Sequence, residues 1–348
     1  MSLQAVAKRF ADEAAAWEYV ERLRWDGKPA CPFCASENVL YLAPRTDGPR
    51  TTRTGNKSYR RVWKCRECKR QFSCLVGTIF SGTKIPLSKW LMAIYLIVSA
   101  KNGASALELQ RDLGITYKSA WFMVHRIREA MANGDSGKLF GTIVADETYF
   151  GGKPSNRHGY TTGHGGQRRS TKTPILSVVD KETGEIRSTV IPNTKYKTIR
   201  SALEANVDLP RTTLHTDEAH HFDGLAAEHH AVNHTAGEYV RGDVSTNMAE
   251  GFFSQFKRSV DGTYHNVSKE HLGRYAREFD FRYSTRRMSD GERAMNLIHR
   301  ADGAFLSYRG LIATGPVALG SRSRPSGRTS QQRAGAAWLP QTSYRPAQ

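Results

Sequence analysis

With 348 residues and a formal charge of +18, the chain has room for two or three domains, and its charge calls for a polyanionic partner, since each Lys or Arg set against a phosphate releases counterions. A hydrophobic content of 39% with 10% aromatics excludes a disordered chain, and five unevenly placed cysteines exclude a disulfide scaffold. No apolar stretch approaches the ~20 residues that span a bilayer, and the N-terminus acquires acids too early for a signal-peptide core, so the sequence reads as a reducing, cytoplasmic protein with nucleic acid as its economical partner and no membrane.

Residues 4 to 24 set Phe10, Ala14, Trp17, Val20 and Leu23 at helical spacing, which predicts a helix packed on the adjoining segment. Cys31-Pro-Phe-Cys34 comes next, then a Gly/Thr/Arg-rich hairpin-like stretch, then Cys65-Arg-Glu-Cys68. Strand-like segments follow the first knuckle (Val39 to Leu42) and precede the second (Tyr59 to Trp63). That is the pattern of a zinc ribbon: the four thiolates Cys31, Cys34, Cys65 and Cys68 supply a closed tetrahedral site, and the metal stabilises a module too small for its own core. A redox C-x-x-C is the alternative, but paired knuckles without a βαβ context argue against it. Cys74, the odd fifth, is expected on a buried strand.

Pro86 to Ala100 is continuously apolar and predicts a buried helix. From Ser105 to Arg128, Gly114 can end one helix in a left-handed conformation and Thr116 can cap the next. The second helix carries Tyr117, Lys118, His125, Arg126 and Arg128, and the pair predicts a helix-turn-helix with Lys118, Arg126 and Arg128 on DNA. An ordinary helical hairpin is the other reading of the same pattern.

After the Gly134-Asp-Ser-Gly137 linker, strands and helices alternate. Pro174 to Val179 and Glu185 to Ile191 predict a hairpin, 196 to 206 a helix, Thr212 to Asp217 and Glu228 to His234 strands, and Thr246 to Ser259 and Lys269 to Thr285 helices. This order suits an α/β domain of the RNase H-like class. The organisation expected is a helix plus ribbon over 1–80, a helix-turn-helix region over 81–133, a catalytic domain over 138–290 and a basic tail over 314–348. That tail is rich in Ser, Gly, Pro and Arg without an acid, the composition of a disordered segment.

Asp146 closes the apolar run from Gly141, Asp217 closes that from Thr213, and Glu250 lies on the helix beginning near Asn247. Hard carboxylate oxygens from three separate elements are what two divalent metals flanking a scissile phosphate require. Strand alternation lets only one member of each pair Asp146-Glu147 and Asp217-Glu218 face the metals. The aspartates are chosen because they end the apolar runs, with Glu147 and Glu218 as the alternatives. Asn247, Glu250, Ser254 and Lys257 form one polar stripe, so Lys257 can reach a phosphate beside the metal that Glu250 would hold. The glycine-rich stretch 151–169 lacks P-loop spacing; its Lys153, Arg157, Arg168 and Arg169 are candidate DNA clamps. His215, His220 and His221 flank Asp217, but a hard-ligand site does not need them, and His220 or His221 suits a helix start.

These motifs carry a resemblance. Cys31-x-x-Cys34 with Cys65-x-x-Cys68, Val76-Gly-Thr-Ile-Phe80, Asp146-Glu-Thr-Tyr-Phe-Gly-Gly-Lys153, Thr216-Asp217, Asn247-Met-Ala-Glu-Gly-Phe-Phe253 leading to Lys257, Gly262 to Leu272 and Glu278 to Tyr283 together resemble the zinc-ribbon insertion-sequence transposases with an ISXO-like DDE domain. The resemblance implies a bacterial, nucleoid-associated enzyme of DNA-mediated transposition. Asp146, Asp217 and Glu250 would hold Mg²⁺ or Mn²⁺, Lys257 would assist, and Zn²⁺ would sit in the ribbon. Its partners would be double-stranded DNA, as element terminal repeats and target, and further copies of the chain assembled on that DNA. Some members of the wider family have Asn or His at the third catalytic position; here Glu250 stands with Asn247 near it. A DNA-binding derivative without catalysis and a nuclease acting on RNA-containing substrates are the other readings. The intact triplet argues against the first, and the ribbon with helix-turn-helix against the second.

Overall fold

Asp12 divides what the spacing predicts as one N-terminal helix. Its carboxylate accepts from the backbone N–H groups of Ala14 and Ala15, so α1 (Leu3–Arg9) ends and α2 (Glu13–Trp25) starts on an N-cap. The computed structural model describes residues 3–44, 48–53, 55, 57–134, 137–151, 172–217, 222, 224–225, 228–232, 240–241 and 244–313. The expectations for Lys153, Arg157, Arg168, Arg169, Glu218, His220, His221 and the tail from 314 lie outside these residues.

Beyond α2 the ribbon has its first strand where the sequence puts it, while the second runs over Val62–Cys65, starting three residues later than Tyr59 to Trp63. β1 (Val39–Leu42) pairs antiparallel with β4 (Val62–Cys65), and β4 with β5 (Gln71–Phe72); between them β2 (Arg50–Thr51) and β3 (Lys57–Ser58) make a small hairpin. The ribbon's apolar interior is slight: Cys31, Cys65 and Phe72 are buried with Trp25 and Trp63 packed on them. Trp25 of α2 meets Trp63 and Phe72 edge-on, both at 5.9 Å, which ties the ribbon to the helix before it. Cys74 is fully buried, as expected, but in a turn rather than a strand.

The next helices are α3 (Leu87–Ser99), α4 (Ala106–Leu113) and α5 (Tyr117–Met131). Their caps follow the sequence: Ser105 and Glu108 form a capping box, Gly114 takes the left-handed conformation at φ 57°, and Thr116 accepts from the backbone N–H of Ser119.

A five-stranded sheet comes after them. Of β6 (Leu139–Phe150), β7 (Thr173–Asp180) and β8 (Ile186–Val190), the middle strand β7 runs antiparallel to both neighbours. After α6 (Tyr196–Asn206), β9 (Val207–Asp217) returns parallel to β6, and β10 (Glu228–Val232) lies parallel to β9, giving the order β10-β9-β6-β7-β8. β6 runs past the apolar stretch to Phe150, so Asp146 stands inside the strand and not at its end. β11 (Val240–Arg241) and β12 (Val244–Ser245) form a two-stranded pair before α7 (Asn247–Ser259). A π-helical turn (Val260–Tyr264) continues α7, and α8 (Lys269–Ser284) comes next. Two helices that the sequence pattern does not anticipate close the described chain, α9 (Asp290–Arg300) and α10 (Tyr308–Ile312).

Three apolar cores result. α1 to α5 share one with α9, through Phe10, Trp17, Trp90, Ile94, Leu109, Met123, Ile127 and Leu297. On one face of the sheet Ile143, Ala145, Leu176, Val178 and Leu214 pack with Ile199 and Leu203 of α6. On the other face Val144, Phe150, Ile175 and Val179 pack with Phe252 and Phe256 of α7 and Leu272 and Phe279 of α8.

Candidate active site and nucleic-acid surface

Those two sheet cores decide which carboxylates can meet. On β6, Ile143 and Ala145 belong to the α6 side and Val144 and Phe150 to the α7 side, so alternation turns Asp146 toward α7 and Glu147 toward α6. Across the parallel pairing Val144 stands opposite His215. The same register two residues on brings Asp217 alongside Asp146. Leu214 belongs to the α6 side, which leaves Asp217, of opposite parity, on the α7 side with Asp146. Glu250 comes from α7 itself, which Phe252, Phe253 and Phe256 clamp to this face.

The electrostatics agree with that convergence. The Asp146 carboxyl is pushed up to about 7, first by burial, then by the negative charges of Asp217 and Glu147, with Glu250 adding to the rise. The backbone N–H of Glu147, which donates to Asp146 Oδ1 at 2.7 Å, opposes it only in part. Glu250 is exposed and accepts a hydrogen bond from the Thr246 hydroxyl at 2.9 Å. The neighbouring carboxylates are what raise Asp146, and a divalent cation would relieve that repulsion; hard oxygens suit Mg²⁺ or Mn²⁺. Asn247, Glu250, Ser254 and Lys257 are all exposed along α7, so the polar stripe that puts Lys257 in phase with Glu250 is solvent-facing.

A tighter metal geometry lies in the ribbon. The sulfurs of Cys31, Cys34, Cys65 and Cys68 all lie within 4.8 Å of one another, and among the described residues no carboxylate or histidine set closes in the same way. The Cys31–Cys68 and Cys34–Cys65 sulfurs are 3.6 Å apart. Tetrahedral Zn–S bonds of ~2.3 Å require sulfur separations of about 3.8 Å. Against burial, which raises it, the backbone N–H groups of Cys68 and Glu67 bring the Cys65 thiol down to about 7, the direction a thiolate ligand needs. Cys74 stands apart, with burial pushing its thiol up to about 12.

The residues expected on DNA divide. Lys118 is exposed on the first turn of α5, its ammonium 4.8 Å over the Tyr308 ring. Arg126 and Arg128 are buried, which corrects their placement on a DNA-facing surface. Arg126 donates to the carbonyls of Leu306 at 3.2 Å and Ser81 at 2.6 Å, joining three segments of the helical core. Arg128 pairs with the fully buried Glu278 of α8 at 2.7 Å and lies 3.7 Å from the centre of the Tyr275 ring. His125, on the same helix, is fully buried against His271 and Tyr275. The physical reason is phase: from Ala120 to Met131, α5 packs nearly all round, and only its first turn is free.

Sequence reasoning misses the partner cluster. Glu278 also accepts from Arg282 at 2.8 Å and from the Tyr264 hydroxyl at 2.7 Å, while Arg282 donates to the carbonyls of Ile97 and Ala100, both at 2.6 Å. Burial would raise Glu278, but the guanidiniums of Arg128 and Arg282 hold it down to about 2. The cluster joins α3 and α5 to α8 and to the π-helical turn that continues α7. Its trace in the sequence is the set of charged residues, Arg277, Glu278 and Asp280, among the apolar Tyr275, Ala276, Phe279 and Phe281 of α8. The histidines around Asp217 serve their neighbours: His215 is buried with its ring 5.8 Å from that of His230, and His229 shares a hydrogen bond with Thr216 at 2.8 Å.

Comparison with known families bears on both regions. Residues 138–284 match the ISXO2-like transposase domain, and residues 11–71 match the transposase zinc-ribbon domain. An uncharacterized protein in transposable element ISH50 of Halobacterium salinarum is 26% identical over 306 residues, covering 84% of this chain and 98% of that protein. The resemblance to ISXO-like transposases with a zinc-ribbon N-terminus therefore holds in both segments.

Proposed function

We propose, for a chain that carries a transposase zinc ribbon ahead of an ISXO2-like transposase domain, that it is an insertion-sequence transposase which cuts and joins DNA at Asp146, Asp217 and Glu250. The observation that carries this reading is the Asp146 carboxyl, driven up to about 7 by burial and by Asp217, Glu147 and Glu250. A half-buried carboxylate beside other carboxylates is costly unless a cation is meant to sit there. The strand order β10-β9-β6-β7-β8, with β6 central and helices on both faces, supports an RNase H-like domain.

Mg²⁺ or Mn²⁺ held by these carboxylates would supply Lewis acidity toward the scissile phosphate and lower the pKa of the attacking hydroxyl. The chain's own residues do the rest. Asp146 and Asp217 fix two oxygens on neighbouring strands of a rigid sheet, and Glu250 adds a third from a helix clamped to it. Lys257, two turns along the same stripe, neutralises an adjacent phosphate and so orients the strand for in-line displacement. The nucleophile is first water, which hydrolyses the phosphodiester at the element end to leave a 3′-hydroxyl and a 5′-phosphate, and then that hydroxyl, which attacks a target phosphodiester and displaces the target strand's 3′-hydroxyl. Zinc in the ribbon is structural. Lys118 and the basic stretch containing Lys153, Arg168 and Arg169 contact the duplex, and further copies of the chain bring two ends together. A binding-only derivative has less support, since a role without chemistry leaves this clustering of acids unexplained.

Incubating the full chain with duplexes carrying the element's ends, target DNA and Mg²⁺ tests the reading. Joined products that require the metal are expected; their absence with zinc-loaded, DNA-bound protein would leave the binding-only derivative.

A further inference from the structure

Continued at helical spacing beyond Lys257, the polar stripe of α7 reaches Asp261 and then Tyr264. Asp261 is exposed, as the stripe requires, whereas the Tyr264 hydroxyl turns inward and donates to the buried Glu278 at 2.7 Å. The π-helical turn makes the difference: its i→i+5 bonding closes a wider turn, so Tyr264 falls behind the stripe and meets the core. The change of bonding begins at Lys257 itself, since the Val260 N–H donates to the carbonyls of both Lys257 and Phe256. His265, a non-glycine residue at φ 57°, follows the turn, its ring Nδ1 donating to the Asp261 carbonyl at 3.0 Å. Backbone of this kind persists only where its surroundings hold it.

Room for the hydroxyl is made on the other side, in the loop between α3 and α4. A Cβ added at Gly103, which stands at φ 89°, would collide with the Tyr264 hydroxyl. The Lys101 carbonyl beside it accepts from Gln255 of α7 at 3.4 Å. The Tyr264 ring meets Tyr275 of α8 edge-on at 4.8 Å, with the Arg128 guanidinium of α5 5.2 Å from its centre. Burial first, then the charge of Glu278, pushes the phenol up, which keeps it a donor.

We propose that Tyr264 is a positioning residue for strand cleavage: its hydroxyl, seated on Glu278 beside Gly103, fixes the end of α7, and Lys257 with it, against α3 and α5. This rests on the reading of the chain as a transposase acting at Asp146, Asp217 and Glu250. Phe252, Phe253 and Phe256 already clamp the stretch of α7 that carries Glu250. Lys257 lies between that clamp and the Tyr264 anchor, so its direction depends on both. The anchor thereby sets Lys257 in a fixed relation to Lys118 of α5, and holds the strand between these two cations in line with the carboxylates.

The test is single-turnover cleavage of a duplex carrying the element's ends by the full zinc-loaded chain with Mg²⁺, over a range of protein concentrations. Tyr264→Phe keeps the ring and removes only the hydroxyl; it should lower the rate at saturation about tenfold and leave the half-saturating concentration unchanged. Gly103→Ala, which crowds the hydroxyl and leaves Tyr264 in place, should show the same loss. Because the anchor works through Lys257, Lys257→Ala combined with Tyr264→Phe should be no slower than Lys257→Ala alone. In the absence of DNA, hydrogen exchange in Tyr264→Phe should quicken over residues 257–265 and stay unchanged over 247–253. Wild-type rates in Tyr264→Phe or Gly103→Ala, losses that multiply in the double variant, or unchanged exchange at the end of α7 would each overturn the proposal and leave the transposase reading standing. A wild-type chain that binds these ends and does not cleave them with Mg²⁺ would overturn both.

Discussion

α5 and α7 look alike in sequence and differ in the fold. Both combine aromatic residues with Lys and Arg, and both invite assignment to DNA. On α7, charged and apolar residues separate by phase: Phe252, Phe253 and Phe256 face the sheet while Asn247, Glu250, Ser254 and Lys257 face out. On α5 the second half packs on every side, and its cations enter the core, where Glu278 and backbone carbonyls meet them. A basic residue on a helix therefore indicates a ligand only where its phase leaves it free. Elsewhere it signals a buried ion pair whose other half lies far along the chain.

The contrast between the two helices breaks first on chemistry. Asp146→Asn, Asp217→Asn and Glu250→Gln should each abolish strand cleavage and joining while duplex binding persists, because each removes a ligand charge with little change of shape. A gel assay of cleavage with a parallel binding measurement checks this. Full activity in any one of them would move the role to Glu147, Glu218 or Asn247.

On the α5 side the expected loss is stability. Glu278→Gln leaves Arg128 and Arg282 without their counter-charge in the core, and losing one partner of such a buried cluster costs about 3–5 kcal/mol. Denaturant unfolding of the zinc-loaded chain measures it. The sign with pH comes from the Glu278 carboxyl, held at about 2 against an ordinary 4.5. Its contribution is present above the ordinary value and is lost as pH falls toward 2, so the stability gap between wild type and Glu278→Gln should narrow on acidification. A gap that stays constant between neutral and acid pH would remove the charge from the explanation. By contrast, Lys257→Ala on the exposed stripe should leave stability within about 0.5 kcal/mol of wild type and lower cleavage.

Much of this is legible in the sequence, for reasons that differ by region. Short-range chemistry is readable: Ser105, Gly114 and Thr116 set their helix ends, and the C-x-x-C pairs set the ribbon. Strand alternation says only that Asp146 and Glu147 face opposite ways; because both faces of β6 are buried, the apolar run shows no parity of its own, and the strand runs past Asp146 to Phe150. What stays hidden depends on distant partners. Nothing near Arg128 announces Glu278, and nothing near Arg126 announces the carbonyls of Ser81 and Leu306. α9 escapes the sequence pattern because its narrow apolar face, Leu297 and Ile298, completes a core already begun by α3 and α5, and α10 is only five residues long. Asp12 reads as part of a helix because a capping carboxylate fits the same periodic pattern as an exposed helical acid.

Smaller effects sharpen the ribbon. Cys31→Ser or Cys65→Ser should lose the zinc, whereas Cys74→Ser should retain about one zinc per chain by metal analysis, since Cys74 lies outside the four-sulfur cluster. Zinc-free wild-type protein with normal stability would overturn the structural role of the metal.

The most direct test is where the divalent metal binds. Mn²⁺ titrated into the zinc-loaded chain and followed by electron paramagnetic resonance should bind with an affinity that rises as pH passes about 7, where Asp146 gives up its proton. Binding should be lost in Asp146→Asn and Asp217→Asn and retained in Glu147→Gln, whose side chain belongs to the opposite face of β6. Retention in Asp146→Asn together with loss in Glu147→Gln would contradict the site.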